Sequence, residues 1–194
     1  MATTTFTKGI EEYEDNVTFG TGITGTGLLH SFGTRKIQTF VGSLADTDTA
    51  SAYADGDVLV ELGTLDTNAP SGIVTASKFF IHRALIGITT AAGQTLVGSL
   101  QLSATSGTGT NSAVSSGTEI VGAGVTSFND QLSATQSITE VDINFNNTAG
   151  NYHIFRPNVT AAIASKYLYA AATTTLNADA SAGRFTVELE YSVY

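Results

Sequence analysis

Apolar and polar residues alternate along much of the chain, and the alternation is clearest at the C-terminal end. From 185 to 193 every second residue is large and apolar, and the residues between them are Thr, Glu, Glu and Ser. Successive side chains of a β-strand point to opposite faces, so a period of two places one set in a core and the other in solvent. This run therefore predicts a half-buried antiparallel strand.

Shorter β-rich runs predict further strands between clusters of turn residues. Within 73–90, the pair Phe79/Ile81 and the pair Ile86/Ile88 have opposite parity, so we expect a β-bulge or break near Ala84 that lets both pairs face the core. The segment 91–94 is expected to connect two strands as a hairpin. The predicted strands lie at 36–41, 58–62, 73–90, 96–102, 118–125, 141–145, 152–156 and 167–171.

Helical periodicity is scarce, and one or two helical turns are predicted within the Ala-containing stretch 158–167. Parallel strands need long crossover connections, usually helices, so a chain without them is expected to form antiparallel sheets. The predicted fold class is all-β: an antiparallel β-sandwich over 36–194, jelly-roll-like, preceded by an extended N-terminal arm over 1–35. Four glycines between 20 and 27 make this arm unsuited to a helix or a strong strand, and its scattered apolar residues suggest that it is ordered by contact.

Composition narrows the class of partner. The net charge of -9 disfavours nucleic acid, because an acidic surface repels phosphate. Charged residues make up 13% of the chain, against about 25% in an ordinary domain, so much of the surface either contacts another protein or is neutral and polar. No apolar run has the length of a membrane span, and the start does not have the pattern of a signal peptide, so we expect a product made without export.

Candidate chemistry is sparse. The chain has no cysteine, so it has no disulfide framework and no thiolate, and neither a nucleophile elbow nor a phosphate loop is found. Its histidines, His30, His82 and His153, lack the close spacing of a metal site, and we interpret them as solvent-facing strand positions. A Ca²⁺ site in the loop from Asp46 to Asp57 stays open, as does a glycosidase carboxylate pair, although the absence of Trp weighs against a sugar site. We predict a protein that is not an enzyme and has no cofactor or metal.

Three stretches resemble the small β-sandwich virion proteins of tailed bacteriophages, among them capsid decoration (cement) proteins. They are the Thr/Gly-rich acidic start from Thr5 to Asp15, the run from Ile86 to Leu102 and the closing strand from Ala182 to Tyr191. The resemblance implies a jelly-roll-like structural protein, expected as a homotrimer, that binds the outer surface of a capsid. Its partner would be the major capsid protein, whose neighbouring subunits it would tie together, and it would have no nucleic-acid or membrane partner.

An arm that folds on binding is suited to lie across such a neighbour. We therefore expect its large apolar residues, Phe6, Ile10, Tyr13 and Phe19, to be partner-interface residues. The alternative function is a receptor- or glycan-binding module of a phage tail fibre or surface fibre. That function would need an exposed aromatic cluster, for which the candidates are Tyr152, Tyr167, Tyr169, Tyr191 and Tyr194.

Overall fold

Eleven β-strands make up the regular structure of the described part of the chain, which contains no α-helix. A computed structural model describes residues 34–44, 53–68, 77–92, 96–109, 112–122, 128–129, 142–145, 149–150, 152–157, 159–173 and 183–194. The strands are β1 (Thr34–Ser43), β2 (Val58–Thr64), β3 (Lys78–Thr90), β4 (Val97–Ser103), β5 (Thr118–Val121), β6 (Phe128–Asn129), β7 (Ile143–Asn144), β8 (Tyr152–Arg156), β9 (Val159–Ala162), β10 (Tyr167–Ala172) and β11 (Arg184–Val193).

The strands form two antiparallel sheets. Sheet one has the order β1-β11-β3-β8-β6, with β9 paired to the first half of β3, and sheet two has the order β2-β10-β4-β5, with β7 paired to β4. The pairing is nested along the chain: β1 pairs with β11, β2 with β10, β3 with β8 and β4 with β5. The predicted antiparallel β-sandwich is confirmed, and jelly-roll connectivity stays a prediction.

The core lies between the two sheets. Strand β11 behaves as the alternation predicts, since its residues 185, 187, 189, 191 and 193 are buried and those between them are partly exposed. Facing it from sheet two are Leu100, Ile120 and Leu168, which are fully buried in the same cluster. Side chains from the inner faces of two stacked sheets interdigitate in this way because the sheets pack about 10 Å apart.

The predicted irregularity in β3 is confirmed. The β3–β11 register shifts between Glu190 and Tyr191, so that His82 has no partner in the ladder. The extra residue reverses the parity of the strand, and Phe79, Ile81, Ile86 and Ile88 consequently all point into the core. Strand β3 is central to sheet one, since β11 pairs with it along one side and β8 and β9 pair with it along the other.

Two local predictions are wrong. The stretch 158–167 forms strand β9 and a turn rather than helical turns, because residues 159–162 pair with β3. Segment 91–94 does not close a hairpin: β3 and β4 lie in different sheets, and Ala92 donates its N–H to Phe145 O. In both cases tertiary pairing decides the structure over local preference.

The division into an arm over 1–35 and a sandwich over 36–194 stays a prediction. Strand β1 begins at Thr34, inside the stretch assigned to the arm, while residues 1–33 lie outside the described residues. Strand β8 ends at Arg156, directly before Pro157, as expected, since proline cannot donate to a ladder. Among the described residues no helix is long and apolar enough to cross a membrane.

Candidate functional site

The two outer faces of the sandwich differ in what covers them, and this difference defines the candidate site. We name the outer face of sheet one the open face; its apolar side chains include Ile37 and Val41 of β1, Phe80 and Leu85 of β3, and Tyr152 and Ile154 of β8. We name the outer face of sheet two the covered face; its apolar side chains are Val58 of β2 and Tyr167, Tyr169 and Ala171 of β10.

The open face exposes large apolar side chains to solvent. Ile37 is 62% exposed, Val41 is 70% exposed and Tyr152 is 48% exposed. Leu85 and Ile154 lie directly opposite each other on β3 and β8, and both are half-buried. Two Val or Ile positions on the outward side of an edge strand are unusual, because natural edges are commonly protected by charge or proline. The open face thus carries several apolar side chains that the described part of the chain leaves exposed.

Glycine shapes the open face at one point. Tyr152 lies opposite Gly87 in the β3–β8 ladder, and a Cβ at Gly87 would be 2.8 Å from Tyr152 Cε1. The tyrosine ring therefore occupies part of the space that a side chain at residue 87 would need, as aromatic rings do beside strand glycines. This contact fixes the ring while leaving about half of it accessible.

A charged row separates the two apolar areas of the open face. Glu190 forms ion pairs with Arg35 on one side and with Arg83 on the other, where Arg83 Nε lies 3.2 Å from Glu190 Oε2. Arg83 also donates to Glu188 Oε1 at 2.6 Å. The four charges compensate one another, so a partner would meet a locally neutral surface. Exposed ion pairs of this kind contribute little to stability, about 0–1 kcal/mol each.

A serine–histidine pair lies in the same region and was missed by sequence reasoning. His82 Nε2 is 2.7 Å from Ser192 Oγ, across the β3–β11 ladder, although the two residues are 110 positions apart. Burial lowers the pKa of His82, and the positive charge of Arg35 lowers it further. Hydrolytic triads need a carboxylate that orients the histidine. Glu190, the nearby acid, is instead held by two arginines, and the pair sits on a flat sheet, so we interpret it as a structural contact.

The other histidine that the structure describes, His153, lies on the opposite face of sheet one from His82. His30 lies outside the described residues. His153 is opposite Ile86 on the inner face of sheet one and is fully buried, with its ring stacked on Phe155 at 6.2 Å. The expectation that it faces solvent is therefore wrong. Among the described residues no group of three His, Cys, Asp or Glu side chains is placed to hold a metal ion.

The predicted calcium loop is described in part. Asp46 and Asp48 lie outside the described residues, so the site as a whole stays a prediction. Asp55 is exposed, whereas Asp57 is 8% exposed and its Oδ2 accepts a hydrogen bond from Ala54 N at 2.7 Å. That bond closes the turn at Gly56, whose φ of 86° favours glycine. One carboxylate of the loop thus has a role within the turn.

A polar cluster ties β1 to the residues after β2. The Tyr191 hydroxyl accepts from Asp66 N at 2.9 Å and lies 2.9 Å from Gln38 Oε1, and Lys36 Nζ donates to Asp66 Oδ2 at 2.5 Å. These residues and Ile37 line a shallow depression of about 380 Å³. Burial raises the pKa of Tyr191 to about 12, and the hydrogen bond from Lys36 lowers the pKa of Asp66. The polar groups satisfy one another and join the two sheets at this edge.

The covered face is protected by the chain itself. Val114, in the connection between β4 and β5, packs with Val58, Tyr169 and Ala171 in a small second hydrophobic cluster. The same connection is anchored where the Tyr169 hydroxyl lies 2.7 Å from Thr105 O. Further anchors are Gly107 N, which donates to Glu61 Oε2 at 2.7 Å, and Ser103 Oγ, which donates to Ser115 O at 2.7 Å.

The predicted arm residues, Phe6, Ile10, Tyr13 and Phe19, lie outside the described residues, and their interface role stays a prediction. The predicted tyrosine cluster is not brought together: Tyr152 is on the open face, Tyr167 and Tyr169 are on the covered face, and Tyr191 is in the core. Alternation in β1 could have indicated Ile37 and Val41 as outward residues. Phe40 lies on the opposite parity, however, and no sequence signal shows which parity is buried.

No protein-family model matches the sequence, and no curated protein or solved structure shows significant similarity to it.

Proposed function

We propose that this chain is a structural virion protein that binds the outer surface of a phage capsid and ties major capsid subunits together. The observation that carries the proposal is the open face, a sheet surface on which the apolar side chains of Ile37, Val41 and Tyr152 are exposed. Small-molecule sites are concave, whereas protein interfaces are flat, with tyrosine enriched and charge depleted at their centre. The exposed ring of Tyr152 fits the second description, and the ion pairs between the two apolar areas leave no net charge there.

The strand pairing supports a jelly-roll. A long two-stranded ribbon that is rolled up pairs its first strand with its last, its second with its last but one, and so on inward. The pairs β1/β11, β2/β10, β3/β8 and β4/β5 follow this scheme, and consecutive pairs alternate between the two sheets. Jelly-rolls are frequent in viral shells but also in lectins, so the architecture supports the proposal without deciding it.

The N-terminal arm supplies a second attachment in this proposal. Residues Phe6, Ile10, Tyr13 and Phe19 would contact a capsid subunit next to the one that meets the open face. Two modest contacts on one body give firm attachment, because the second forms at high effective concentration. The net charge of -9 suits an outward position, where contact with packaged DNA is avoided.

The open face is tested by co-sedimentation with purified, DNA-free shells of the virus that encodes the chain. Tyr152→Lys should weaken binding by at least about tenfold, because a charge would be buried in an apolar contact. Ser106→Lys, which adds the same charge to the exposed connection over the covered face, is the matched control and should bind as the wild type does. Equal binding by the two variants would remove the open face from the proposal.

The arm is tested separately by deleting residues 1–27. Shell binding should be lost while the urea unfolding midpoint stays unchanged, because the described sandwich begins at Thr34. Undiminished shell binding with the same midpoint would show that the arm has no part in attachment.

A second function, glycan recognition in a tail or surface fibre, is favoured by one observation. Tyr152 presents a fixed, half-exposed ring across Gly87, and a flat aromatic ring can stack on a sugar. A glycan array with the wild type and Tyr152→Ser separates the two functions. A glycan signal that disappears in the variant, together with no shell binding by the wild type, would establish this second function in place of the first.

A further inference from the structure

Strand β1 is an edge strand with an outward apolar pattern. Among the described strands its one hydrogen-bonded neighbour is β11, with which it pairs over all ten residues from Thr34 to Ser43. The comparable edge of sheet two is partly closed, because Val58 N donates to Ser112 O and Val114 N donates to Gly56 O. A long edge with exposed Ile37 and Val41 can take up another strand by backbone hydrogen bonding.

The register of β1 shows which of its backbone groups face outward. Leu44 N donates to Gly183 O, which continues the β1–β11 ladder. In an antiparallel pair the residues that bond to the partner alternate with residues whose N–H and C=O point the other way. The even-numbered residues therefore bond to β11, and Arg35, Ile37, Thr39, Val41 and Ser43 present their N–H and C=O at the free edge.

These outward residues are complementary to a second copy of themselves. If two β1 strands pair antiparallel about a twofold axis through Thr39, Ile37 of each copy lies opposite Val41 of the other. Arg35 then lies opposite Ser43, so the two arginines stay apart. A shift by one residue would place core-facing residues opposite outward ones, and a shift by two would separate Ile37 from Val41. One register thus satisfies both the apolar pairs and the backbone groups.

We propose that β1 pairs with β1 of a second copy of this chain in that register, which joins sheet one of both copies into one continuous sheet. Cross-strand pairs of β-branched residues stabilise such contacts. The interface is isologous, since the same strand serves on both sides. Because it is formed largely by one strand from each copy, we expect a reversible dimer that is favoured at high protein concentration. The inference is independent of capsid binding.

Disulfide cross-linking tests the register directly, because the chain has no cysteine of its own. In the proposed dimer the Cα atoms of the two Thr39 residues are about 5.5 Å apart, within the range that a disulfide spans. Thr39→Cys should therefore cross-link under mild oxidation at about 1 mM chain, a concentration that captures even a weak dimer. Ser43→Cys is the matched control on the same strand, and its two copies would be about 27 Å apart.

A second comparison introduces a lysine into β1 of the Thr39→Cys variant and measures the rate of cross-linking. Adding Ile37→Lys to Thr39→Cys should slow cross-linking by about tenfold or more, because lysine would replace one partner of each apolar pair. Adding Ser106→Lys, in the exposed connection over the covered face, should leave the rate unchanged. Equal rates for the Thr39 and Ser43 variants, or no effect of Ile37→Lys, would overturn the proposal.

Solution mass distinguishes this dimer from the trimer that the phage resemblance implies. Sedimentation equilibrium at the same concentration should give a mass that approaches two chains of 20.0 kDa. A cyclic trimer has no twofold axis and would not bring two Thr39 residues together. A mass of three chains, or of one chain at every concentration, would therefore also overturn the proposal.

Discussion

The open face and the covered face contain similar residues but differ in how far those residues are exposed to solvent. Each has a tyrosine beside valine or isoleucine, yet Tyr169 is fully buried and Tyr152 is 48% exposed. The difference is the connection between β4 and β5, which folds back over sheet two and brings Val114 onto Tyr169. In the described part of the chain, no connection between strands covers Ile37, Val41 and Tyr152.

This comparison teaches which apolar residues contribute to folding and which remain available for binding. Burial of an apolar side chain contributes about 1.5–3 kcal/mol relative to leaving it exposed. The apolar side chains of the covered face are therefore buried within the chain and stabilise its fold, whereas those of the open face remain exposed. Ser99 and Ser103 make the same point, since both are fully buried on a face that would be wet without its covering connection.

The largest expected difference between the faces comes from removing a tyrosine from each. Tyr169→Ala should lower the free energy of unfolding by about 3–5 kcal/mol, because it empties a buried site under the β4–β5 connection. Tyr152→Ala should lower it by less than about 1 kcal/mol, since half of that ring is already in water. Urea unfolding of both variants measures the difference, and similar losses would break the comparison.

A pair of valines gives a smaller contrast. Val114→Ala is expected to cost about 1–2 kcal/mol, from two lost methyl groups and the cavity that they leave. Val41→Ala, at a position that is 70% exposed, should stay within about 0.5 kcal/mol of the wild type. The urea midpoints of the two variants should therefore separate. A destabilising Val41→Ala would mean that the residue is covered in solution, and its concentration dependence would show whether a second copy covers it.

Removal of single hydroxyl groups sharpens the comparison further. Tyr169→Phe leaves Thr105 O without its 2.7 Å contact, so we expect a loss of about 1–2 kcal/mol. Tyr152→Phe should leave stability unchanged within the error of urea unfolding. Resistance of the β4–β5 connection to limited proteolysis should fall in the first variant and not in the second. Equal resistance would show that this hydroxyl does not anchor the connection.

The smallest effect concerns pH and is confined to alkaline solution. Burial of the hydroxyl raises the pKa of Tyr191 in the folded chain to about 12, from the ordinary tyrosine value of 10.0. The folded state therefore holds its proton more tightly, and this contribution to stability is complete below pH 10 and decreases as pH rises toward 12. Tyr191→Phe should flatten the fall in urea midpoint over that range. An unchanged slope would mean that other groups cause it.

Much of the fold could be predicted from the sequence where a strand has one face in the core and the other in solvent, because its residues then alternate between apolar and polar. Strand β11 alternates along its whole length, and its burial follows the pattern residue by residue. The bulge in β3 was predictable because a regular strand would point Ile81 and Ile86 to opposite faces of the sheet. Its position at His82 was not predictable. Strand β10 was also predicted at 167–171, but both of its faces are buried, so alternation could not show which of its residues face the core.

The candidate site was less predictable for a physical reason. Whether Ile37 and Val41 are exposed depends on which strand becomes an edge, and that is decided by pairing between residues up to 159 positions apart, such as Thr34 and Val193. His153 shows the same limit, since the sequence places it in a strand but does not tell which face is inward. The His82–Ser192 contact likewise exists through the β3–β11 register.

The measurement that tests the account most directly is hydroxyl-radical footprinting of the chain, free and bound to capsid shells. Tyr152 on the open face and Tyr167 on the covered face are two partly exposed tyrosines on opposite sides of one sandwich. Tyr152 should lose its oxidation on binding, while Tyr167 should keep it. Protection of Tyr167 with unchanged oxidation of Tyr152 would contradict the claim that the open face is the one that meets the partner.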